Sequence, residues 1–179
     1  MGMSAFQSEL EQSVSRFDQQ LDQDVAMLIR QGRHSITLAE SMTAGMIGER
    51  LTRTTGSSDY FIGGIMCYTP LMKIQLCGVS PATLRKYGAV SEQVAMEMAK
   101  GVQKWGNSTC SLSVTGLAGS YTLPQAEPTG LVFIGLIVQT IEKVQMFKLE
   151  GDRQSIRVQA TTAALVLLRQ VLRRERSDQ

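Results

Sequence analysis

The chain has 179 residues, of which 43% are hydrophobic and 19% are charged, and its formal net charge is +2. This composition is typical of one globular domain with a substantial core, and the small net charge gives no reason to expect a nucleic-acid partner. No apolar run approaches the ~18 residues of a membrane span, and the polar, Gln-rich residues 1–31 do not resemble a signal peptide. We therefore expect a cytoplasmic protein with no membrane contact.

Cysteine and histidine usage argues against a metal site. The three cysteines, Cys67, Cys77 and Cys110, form no C-x-x-C pair, and His34 is the only histidine. These residues cannot assemble a zinc site of the usual composition, so each cysteine is predicted to be a small core residue in a reducing compartment. We expect neither a metal nor another cofactor, and any catalysis must proceed largely without imidazole.

The N-terminal region is predicted to be a helix over residues 5–31, which ends at Gly32. Its apolar residues recur at three- and four-residue steps: Leu10, Val14, Phe17, Leu21, Val25 and Leu28. The stripe is close to a heptad but spans fewer than three repeats, so packing onto the chain's own domain is favoured, with a partner helix as the alternative. We divide the chain into a helical extension, 1–31, and a domain, 32–179. The sequence leaves open whether the protein forms a homo-oligomer.

Strands and helices alternate in the first half of this domain. The predicted elements are a strand at Ser35–Ala39, a helix at Thr43–Arg53, a strand at Tyr60–Tyr68, and helices at Leu71–Leu76 and from Pro81. The paired glycines Gly63 and Gly64 predict a bulge or a close backbone approach within the second strand.

The second half adds three strands between two helices. The predicted elements are a helix from Ser91 to about Lys104, a strand at Cys110–Thr115, a loop at 117–129, strands at Gly130–Val138 and Lys143–Leu149, and a helix from Asp152 to about Arg174. The last two strands predict a hairpin across residues 140–142, which makes the sheet mixed. The alternation as a whole predicts an α/β fold with helices on both faces of the sheet.

Each of the first three predicted strands ends beside polar residues that the fold does not obviously need. They are Glu40, Ser41 and Thr43 after the first strand, Tyr68 and Lys73 after the second, and Thr115 and Gly116 after the third. In open α/β sheets ligands bind at the carboxyl ends of the strands, so these groups converge if the three strands are neighbours.

A hydroxyl, an amine and a phenol at one place favour hydrolase chemistry. Serine is a poor nucleophile until a base takes its proton, and a partly desolvated lysine such as Lys73 can be that base. Tyr68 can relay protons or hold the lysine, and the helix N-terminus after Ser41 can stabilise an oxyanion. This is the outline of a Ser–Lys amidohydrolase.

The same residues have ordinary structural interpretations, which stay open at this point. Ser and Thr commonly cap helices, so Ser41 and Thr43 can be caps. Lys73 can be a solvated helix lysine, and the remaining candidates can be strand-end or turn residues: Tyr68, Thr115, Gly45, Gly64 and Gly116.

Four blocks of the sequence resemble the CinA C-terminal domain family: LAESMTAG, SSDYFIGGIMCYTPLMKIQLCGV, YGAVSEQVAMEMAKG and SVTGLAG. They occur in the family's order, and the similarity covers about residues 20–175. Enzymes of this family are nicotinamide-nucleotide amidohydrolases (PncC type), which convert nicotinamide mononucleotide (NMN) to nicotinate mononucleotide and ammonia in NAD recycling. The resemblance implies a three-layer α/β/α sandwich with a mixed sheet, a stand-alone domain, no metal, and a mononucleotide as the small-molecule partner.

The resemblance also implies roles for individual residues. The catalytic residues that it implies are Ser41, Tyr68, Lys73 and Thr115. The substrate-binding residues are Thr43, Gly45, Gly64, Gly116, Arg153 and Arg157. Arg153 opens the last helix and is suited to the substrate phosphate, and Arg157, one turn further, shares that role.

Three residues depart from the family pattern. Ala44 replaces a glycine, Pro70 replaces an asparagine, and Glu127 replaces a lysine within a rebuilt loop at 117–129. A methyl group narrows the approach of a ligand to the backbone, proline removes a donor, and an acidic residue weakens the hold on a phosphate. The main hypothesis is an NMN amidohydrolase. The alternatives are a catalytically degenerate paralogue that binds a nucleotide or a protein partner, and an amidohydrolase with an altered substrate.

Overall fold

The computed structural model describes residues 19–119 and 128–177, which are built around a five-stranded sheet. The strands are β1 (Ile36–Glu40), β2 (Phe61–Met66), β3 (Cys110–Gly116), β4 (Leu131–Val138) and β5 (Ile141–Lys148). The helices are α1 (Gln19–Gln31), α2 (Met46–Thr52), α3 (Pro70–Cys77), α4 (Pro81–Tyr87), α5 (Glu92–Gly106) and α6 (Arg153–Ser177). A single 3-10 turn, Ser57–Asp59, precedes β2.

The sheet is mixed, with the strand order β2-β1-β3-β4-β5. β1 lies between β2 and β3 and is parallel to both, whereas β4 is antiparallel to β3 and to β5. The prediction of a mixed sheet is therefore confirmed. Because β1, β2 and β3 run in the same direction, their carboxyl ends lie side by side at one edge of the sheet.

Helices cover both faces of the sheet. α5 crosses one face and carries α3 and α4 on its side, while α1, α2 and α6 cover the other face. The side chains of β1 alternate between the two cores: Leu38 packs in the larger apolar cluster with α1 and α6, and Ala39 packs in a smaller cluster with residues of α3 and α5. These layers confirm the predicted α/β/α sandwich.

Local signals in the sequence place most of the helix starts correctly. The Ser91 hydroxyl accepts the Val94 N–H at 3.4 Å, and the Asp152 carboxylate accepts the Ser155 N–H at 2.7 Å, so both predicted caps are confirmed.

The hairpin between β4 and β5 is tighter than predicted. Val138 pairs with Ile141, so Gln139 and Thr140 alone form the turn, and β5 includes Ile141 and Glu142. Gln139 adopts a positive φ of 55°, which two-residue hairpin turns require. The sequence lacks the Asn-Gly or Asp-Gly pair that marks such turns, and this is why the predicted turn was wrong.

The paired glycines of β2 lie at a bulge, as predicted. Ile36 pairs with Phe61 but Thr37 pairs with Gly63, so Ile62 is the extra residue. Gly63 has a φ of 151°, which disfavours other residues.

The described part of the N-terminal extension packs onto the domain. α1 lies against α6 and buries Leu21, Val25 and Ile29. Residues 5–18 of the predicted helix lie outside the described residues. Within the ranges 19–119 and 128–177, no helix combines the length and the apolar character that crossing a membrane requires.

Candidate active site

The strand register places Ser41 between the ends of β2 and β3. The Ser41 N–H donates to the Val114 carbonyl at 3.1 Å, and the Cys67 N–H donates to the Glu40 carbonyl at 2.9 Å. The main-chain ladder thus continues one residue beyond β1 on both sides. Ser41 itself is buried, with 7% of its surface exposed.

Lys73 projects from α3 into the protein rather than into solvent. It is 2% exposed, and its Nζ donates to the Cys67 carbonyl at 2.9 Å, which ties the amine to the end of β2. Burial lowers the pKa of Lys73, against smaller opposing effects of Cys67 and Cys77. The interpretation of Lys73 as a solvated helix lysine is therefore wrong, and the amine has the desolvated environment that a lysine base needs.

The two cysteines beside Lys73 are buried and free. The pKa of the Cys67 thiol is lowered, mainly by its hydrogen bond with Cys77 and also by the nearby Lys73 amine, although burial opposes this. The bond to Cys67 and burial raise the pKa of Cys77 far above its ordinary value. Both side chains belong to the apolar cluster under α3, as predicted for small core residues.

Glu40 has a role that the sequence interpretation missed. Its buried carboxylate accepts the main-chain N–H groups of Gly45, Ile47 and Gly48 at 2.9, 3.2 and 2.9 Å. The anion thus binds the free amides at the start of α2, where helix amides favour negative charge. An acidic residue six positions before the first residue of the helix was the signal for this contact.

Two predictions about the start of α2 are therefore wrong. The helix begins at Met46 with Gly45 as its N-cap and no side-chain cap, so neither Ser41 nor Thr43 caps it. The amides of the first turn are occupied by Glu40 and cannot stabilise an oxyanion. Thr43 is fully buried, and its hydroxyl has no hydrogen-bond partner among the described residues.

Ala44 lies in the tight turn between Ser41 and α2 with a φ of +50°. In that left-handed region the alanine methyl costs roughly 1–2 kcal/mol, which glycine avoids. We expect Ala44→Gly to raise the free energy of unfolding by up to about 1 kcal/mol, since greater freedom of glycine in the unfolded chain offsets part of the gain.

Urea unfolding followed by circular dichroism measures this effect. The control is Ala82→Gly, on the exposed first turn of α4, where glycine is expected to lower stability by a few tenths to about 1 kcal/mol. A loss of stability in Ala44→Gly would show that the turn carries no strain.

Tyr68 and Arg153 form a pair at the exposed side of the site. The Arg153 Nη2 donates to the Tyr68 hydroxyl at 2.9 Å, and Tyr68 is 55% exposed. The sequence had suggested that the Tyr68 phenol holds Lys73. In the structure the phenol bonds to Arg153, and the Cys67 carbonyl holds the lysine amine. The pair joins the start of α6 to the segment between β2 and α3.

Arg157 has a different environment from Arg153. Its Nε donates to the Met42 carbonyl at 2.9 Å and its Nη2 to the Thr43 carbonyl at 3.2 Å. A third nitrogen, Nη1, donates to Gln154 at 3.1 Å. Arg157 thus holds the main chain of residues 42 and 43, a contact that the sequence did not predict. Its share in phosphate binding stays a prediction.

Thr115 and Gly116 make close contacts within the protein at the end of β3, and their predicted roles toward a substrate stay predictions. The Thr115 hydroxyl is buried and donates to the Ala89 carbonyl at 2.8 Å, which ties the end of β3 to the segment before α5. A Cβ at Gly116 would lie 2.6 Å from the Met42 sulfur and 2.8 Å from the Leu131 carbonyl. Glycine is required there by close packing.

Gly45 and Gly64 lie beside a cavity of about 240 Å³ between β1, β2 and α2. The cavity is lined by Leu38, Glu40, Gly45, Gly48, Phe61, Gly64, Ile65 and Met66. Neither Ser41 nor Lys73 is among its lining residues.

Two of the departures from the family pattern can be placed in the structure, and one cannot. Pro70 is the first residue of α3, where a helix leaves the N–H unpaired in any case, and the Thr69 hydroxyl accepts the Met72 N–H. Ala44 occupies the turn described above. Glu127 lies outside the described residues, as do residues 120–127 of the predicted loop.

The fold and the strand-end residues define a three-layer α/β protein with a buried serine and a buried lysine at neighbouring strand ends. The family model described as CinA C-terminal domain matches residues 18–172. The chain belongs to the CinA C-terminal domain family, which confirms the resemblance.

Relatives and solved structures agree with this assignment. A CinA-like protein of Solibacter usitatus is 41% identical over 155 residues, which cover 87% of this chain and 37% of that protein. A CinA-like protein of Geotalea daltonii is 40% identical over 152 residues, covering 85% of this chain and 37% of that protein. The chain thus spans little more than a third of the length of these curated relatives.

Among solved structures, a competence-damaged protein (CinA) superfamily protein from Escherichia coli has a TM-score of 0.80 at 26% identity and covers 84% of this chain and 88% of its own. The competence/damage inducible protein CihA from Agrobacterium tumefaciens has a TM-score of 0.78 at 29% identity, over 87% of this chain and 94% of its own.

Proposed function

We propose that this protein is an amidohydrolase that converts NMN to nicotinate mononucleotide and ammonia. The observation that carries the proposal is the buried Lys73 amine, bonded to the Cys67 carbonyl at the strand end next to Ser41. Lys73 has no carboxylate partner among the residues that the structure describes. A buried, unpaired amine costs stability, and such groups are typical of functional sites.

Ser41 and Lys73 supply the proton transfers of an acyl-transfer mechanism. The neutral Lys73 amine takes the proton of the Ser41 hydroxyl as its oxygen attacks the carboxamide carbon. The protonated lysine then gives this proton to the departing nitrogen, which leaves as ammonia when the C–N bond breaks. Water attacks the resulting ester in the same manner, releases the carboxylate and restores the serine.

The oxyanion of the tetrahedral intermediate needs donors other than the first turn of α2. The Met42 and Thr43 amides follow Ser41 directly and donate to no residue in the described ranges. Free main-chain N–H groups beside a nucleophile are the usual donors for such an oxyanion. Thr43 is fully buried, so we assign the oxyanion to the Met42 amide.

Arg153 is the phosphate ligand in this proposal. It is exposed at the first position of α6, with its guanidinium bonded only to a phenol among the described residues. Hydrogen bonds between charged groups contribute about 1.5–3 kcal/mol. We therefore expect Arg153→Ala to raise KM for NMN by about 10- to 100-fold and to leave turnover of the phosphate-free nicotinamide riboside unchanged. Equal losses on the two substrates would contradict this role.

The central experiment is ammonia release from NMN by the purified protein, with Ser41→Ala as the inactive comparison. Release by the unmodified protein alone supports the proposal. If NMN raises the melting temperature without ammonia release, the protein is a nucleotide-binding paralogue. Release from another carboxamide but not from NMN would indicate an amidohydrolase with an altered substrate.

A further inference from the structure

We infer that β2 is the surface through which this protein binds a second copy of itself, strand against strand, in an antiparallel pair. The inference goes beyond the proposed amidohydrolase function and does not depend on it. It assigns a partner to the outer edge of the sheet, and it answers the question of a homo-oligomer that the sequence leaves open.

The outer side of β2 carries main-chain groups without a strand partner. β2 is the first strand in the order β2-β1-β3-β4-β5, and β1 is its one neighbouring strand among the described residues. The Cys67 N–H faces β1, because it donates to the Glu40 carbonyl. Main-chain groups alternate in direction along a strand, so the N–H and carbonyl groups of Met66 and Gly64 point outward. Such an edge is a template for pairing with another strand.

The two outer strands of the sheet differ in charge. No charged residue lies between Asp59 and Lys73, a segment that includes all of β2. β5, at the opposite edge, carries Glu142, Lys143 and Lys148. Charged side chains are a common protection of an edge strand against pairing, so β5 is protected and β2 is not.

The uncharged sequence of β2 favours a second copy as the partner. In an antiparallel pair about a two-fold axis, each residue of β2 lies opposite a residue of the same strand, and like charges in such positions repel one another. A strand without charged residues meets no such repulsion from its own copy. The edge of β2 is therefore complementary to itself.

Apolar side chains flank this edge. Ile62 and Met66 on β2, Trp105 at the end of α5 and Leu71 at the start of α3 are each more than half exposed. A Cβ at Gly63 would lie 3.7 Å from the Trp105 ring, so this ring lies beside the strand. With side-chain areas of roughly 200 Å², these four residues offer on the order of 400 Å² per copy. Together with the main chain of the paired strands, this area reaches the lower range of specific interfaces, about 1,200 Å² in total.

The cavity beside Gly64 adds a place for a side chain of the second copy. Its volume is about 240 Å³, and Phe61, Gly64 and Met66 are among its lining residues, so it lies on the face of the sheet that Met66 occupies. A two-fold axis perpendicular to the sheet keeps equivalent residues on the same face, so Met66 of the second copy lies on the face of this cavity. A flexible methionine side chain fills irregular gaps well.

Sedimentation equilibrium at protein concentrations from about 1 to about 100 μM tests the inference. The unmodified protein is expected to approach twice the chain mass of 19.6 kDa. Met66→Lys places the same charge on both edges and is expected to raise the dissociation constant of the dimer at least about tenfold. Met146→Lys, an exposed methionine on the other outer strand, β5, is the matched control and should leave the mass unchanged. Ile62→Lys tests the same edge if circular dichroism shows that Met66→Lys does not fold.

Three results would overturn the inference. They are a single-chain mass of the unmodified protein at every concentration, a dimer that persists when β2 carries the lysine, and a dimer that Met146→Lys dissociates equally. Amide hydrogen exchange in Phe61–Met66 is expected to slow as the protein concentration rises, because pairing protects the outward N–H groups. Slow exchange in a single-chain protein would indicate that another part of the chain covers β2, which would also overturn the inference.

Discussion

Replacing Lys73 by methionine is expected to lower the rate of ammonia release from NMN by about 10²- to 10⁴-fold while leaving the protein folded. The amine is the proposed base, and methionine fills similar space without a proton acceptor of comparable basicity. The melting temperature should stay level or rise, because an apolar side chain replaces a buried amine whose one hydrogen bond within residues 19–119 and 128–177 is to the Cys67 carbonyl. Activity and stability are thus expected to move independently.

Lys86→Met is the matched control, since Lys86 is exposed on α4 and its Nζ lies over the Tyr87 ring. It should change neither the rate nor the melting temperature. A large loss of melting temperature in Lys73→Met with unchanged turnover would show that Lys73 is a packing residue.

The lowered pKa of Lys73 also predicts a pH dependence of stability. Burial depresses the folded-state pKa below the ordinary value of 10.5, so between the two values the unfolded chain binds more protons. The free energy of unfolding of the unmodified protein should therefore rise with pH through this window, relative to that of Lys73→Met. Below the folded-state pKa the difference is expected to be constant. Urea unfolding of the unmodified protein and of Lys73→Met, from pH 7 to about 10.5, measures this difference in the free energy of unfolding.

Asp22→Ala is expected to give the largest loss of stability, about 3–5 kcal/mol. Asp22 on α1 binds Arg50 of α2 at 2.6 Å and Arg53 at 3.4 Å, and Arg50 also donates to Thr162 of α6 at 2.9 Å. Asp22 and Arg50 are 5% and 8% exposed. Removing the carboxylate leaves the guanidinium buried with its charge uncompensated. This loss is a large fraction of the 5–15 kcal/mol that a domain has in total.

Two further variants test this explanation by urea unfolding. Asp59→Ala removes an exposed carboxylate 3.9 Å from Arg30 and should cost less than about 1 kcal/mol. Combining Asp22→Ala with Arg50→Met should recover part of the loss, because the buried charge is then gone. Equal losses of unfolding free energy in Asp22→Ala and Asp59→Ala would mean that the buried contacts of Asp22 contribute little to stability.

The architecture could be predicted from the sequence because periodicity and caps report directly on local structure. Three kinds of local signal each have one dominant physical interpretation. They are the apolar stripe of α1, the helix caps Ser91 and Asp152, and the paired glycines of β2. The predicted position of the hairpin turn was wrong because Gln139 adopts a positive φ, which glutamine does not indicate in a sequence. Tertiary pairing imposed that conformation.

The site could be predicted only as a set of residues near one sheet edge. Arg153 and Arg157 look equivalent in the sequence, one turn apart on one helix. The structure gives them different partners because α6 presents one arginine to Tyr68 and the other to the Ser41 loop. The position of each helix over the strand ends also decides the orientation of Glu40 and the burial of Lys73. A local sequence pattern does not predict this arrangement.

The contact between Arg157 and Met42 has a consequence for the order of synthesis, because it joins residues 115 positions apart. Ser41 leaves the ribosome before the guanidinium that holds the following turn, because Arg157 is made only when α6 is translated. A growing chain therefore contains Ser41 before it contains the side chain that holds the carbonyls of Met42 and Thr43. The bonded form of this turn therefore requires that α6 has been made and has docked against it.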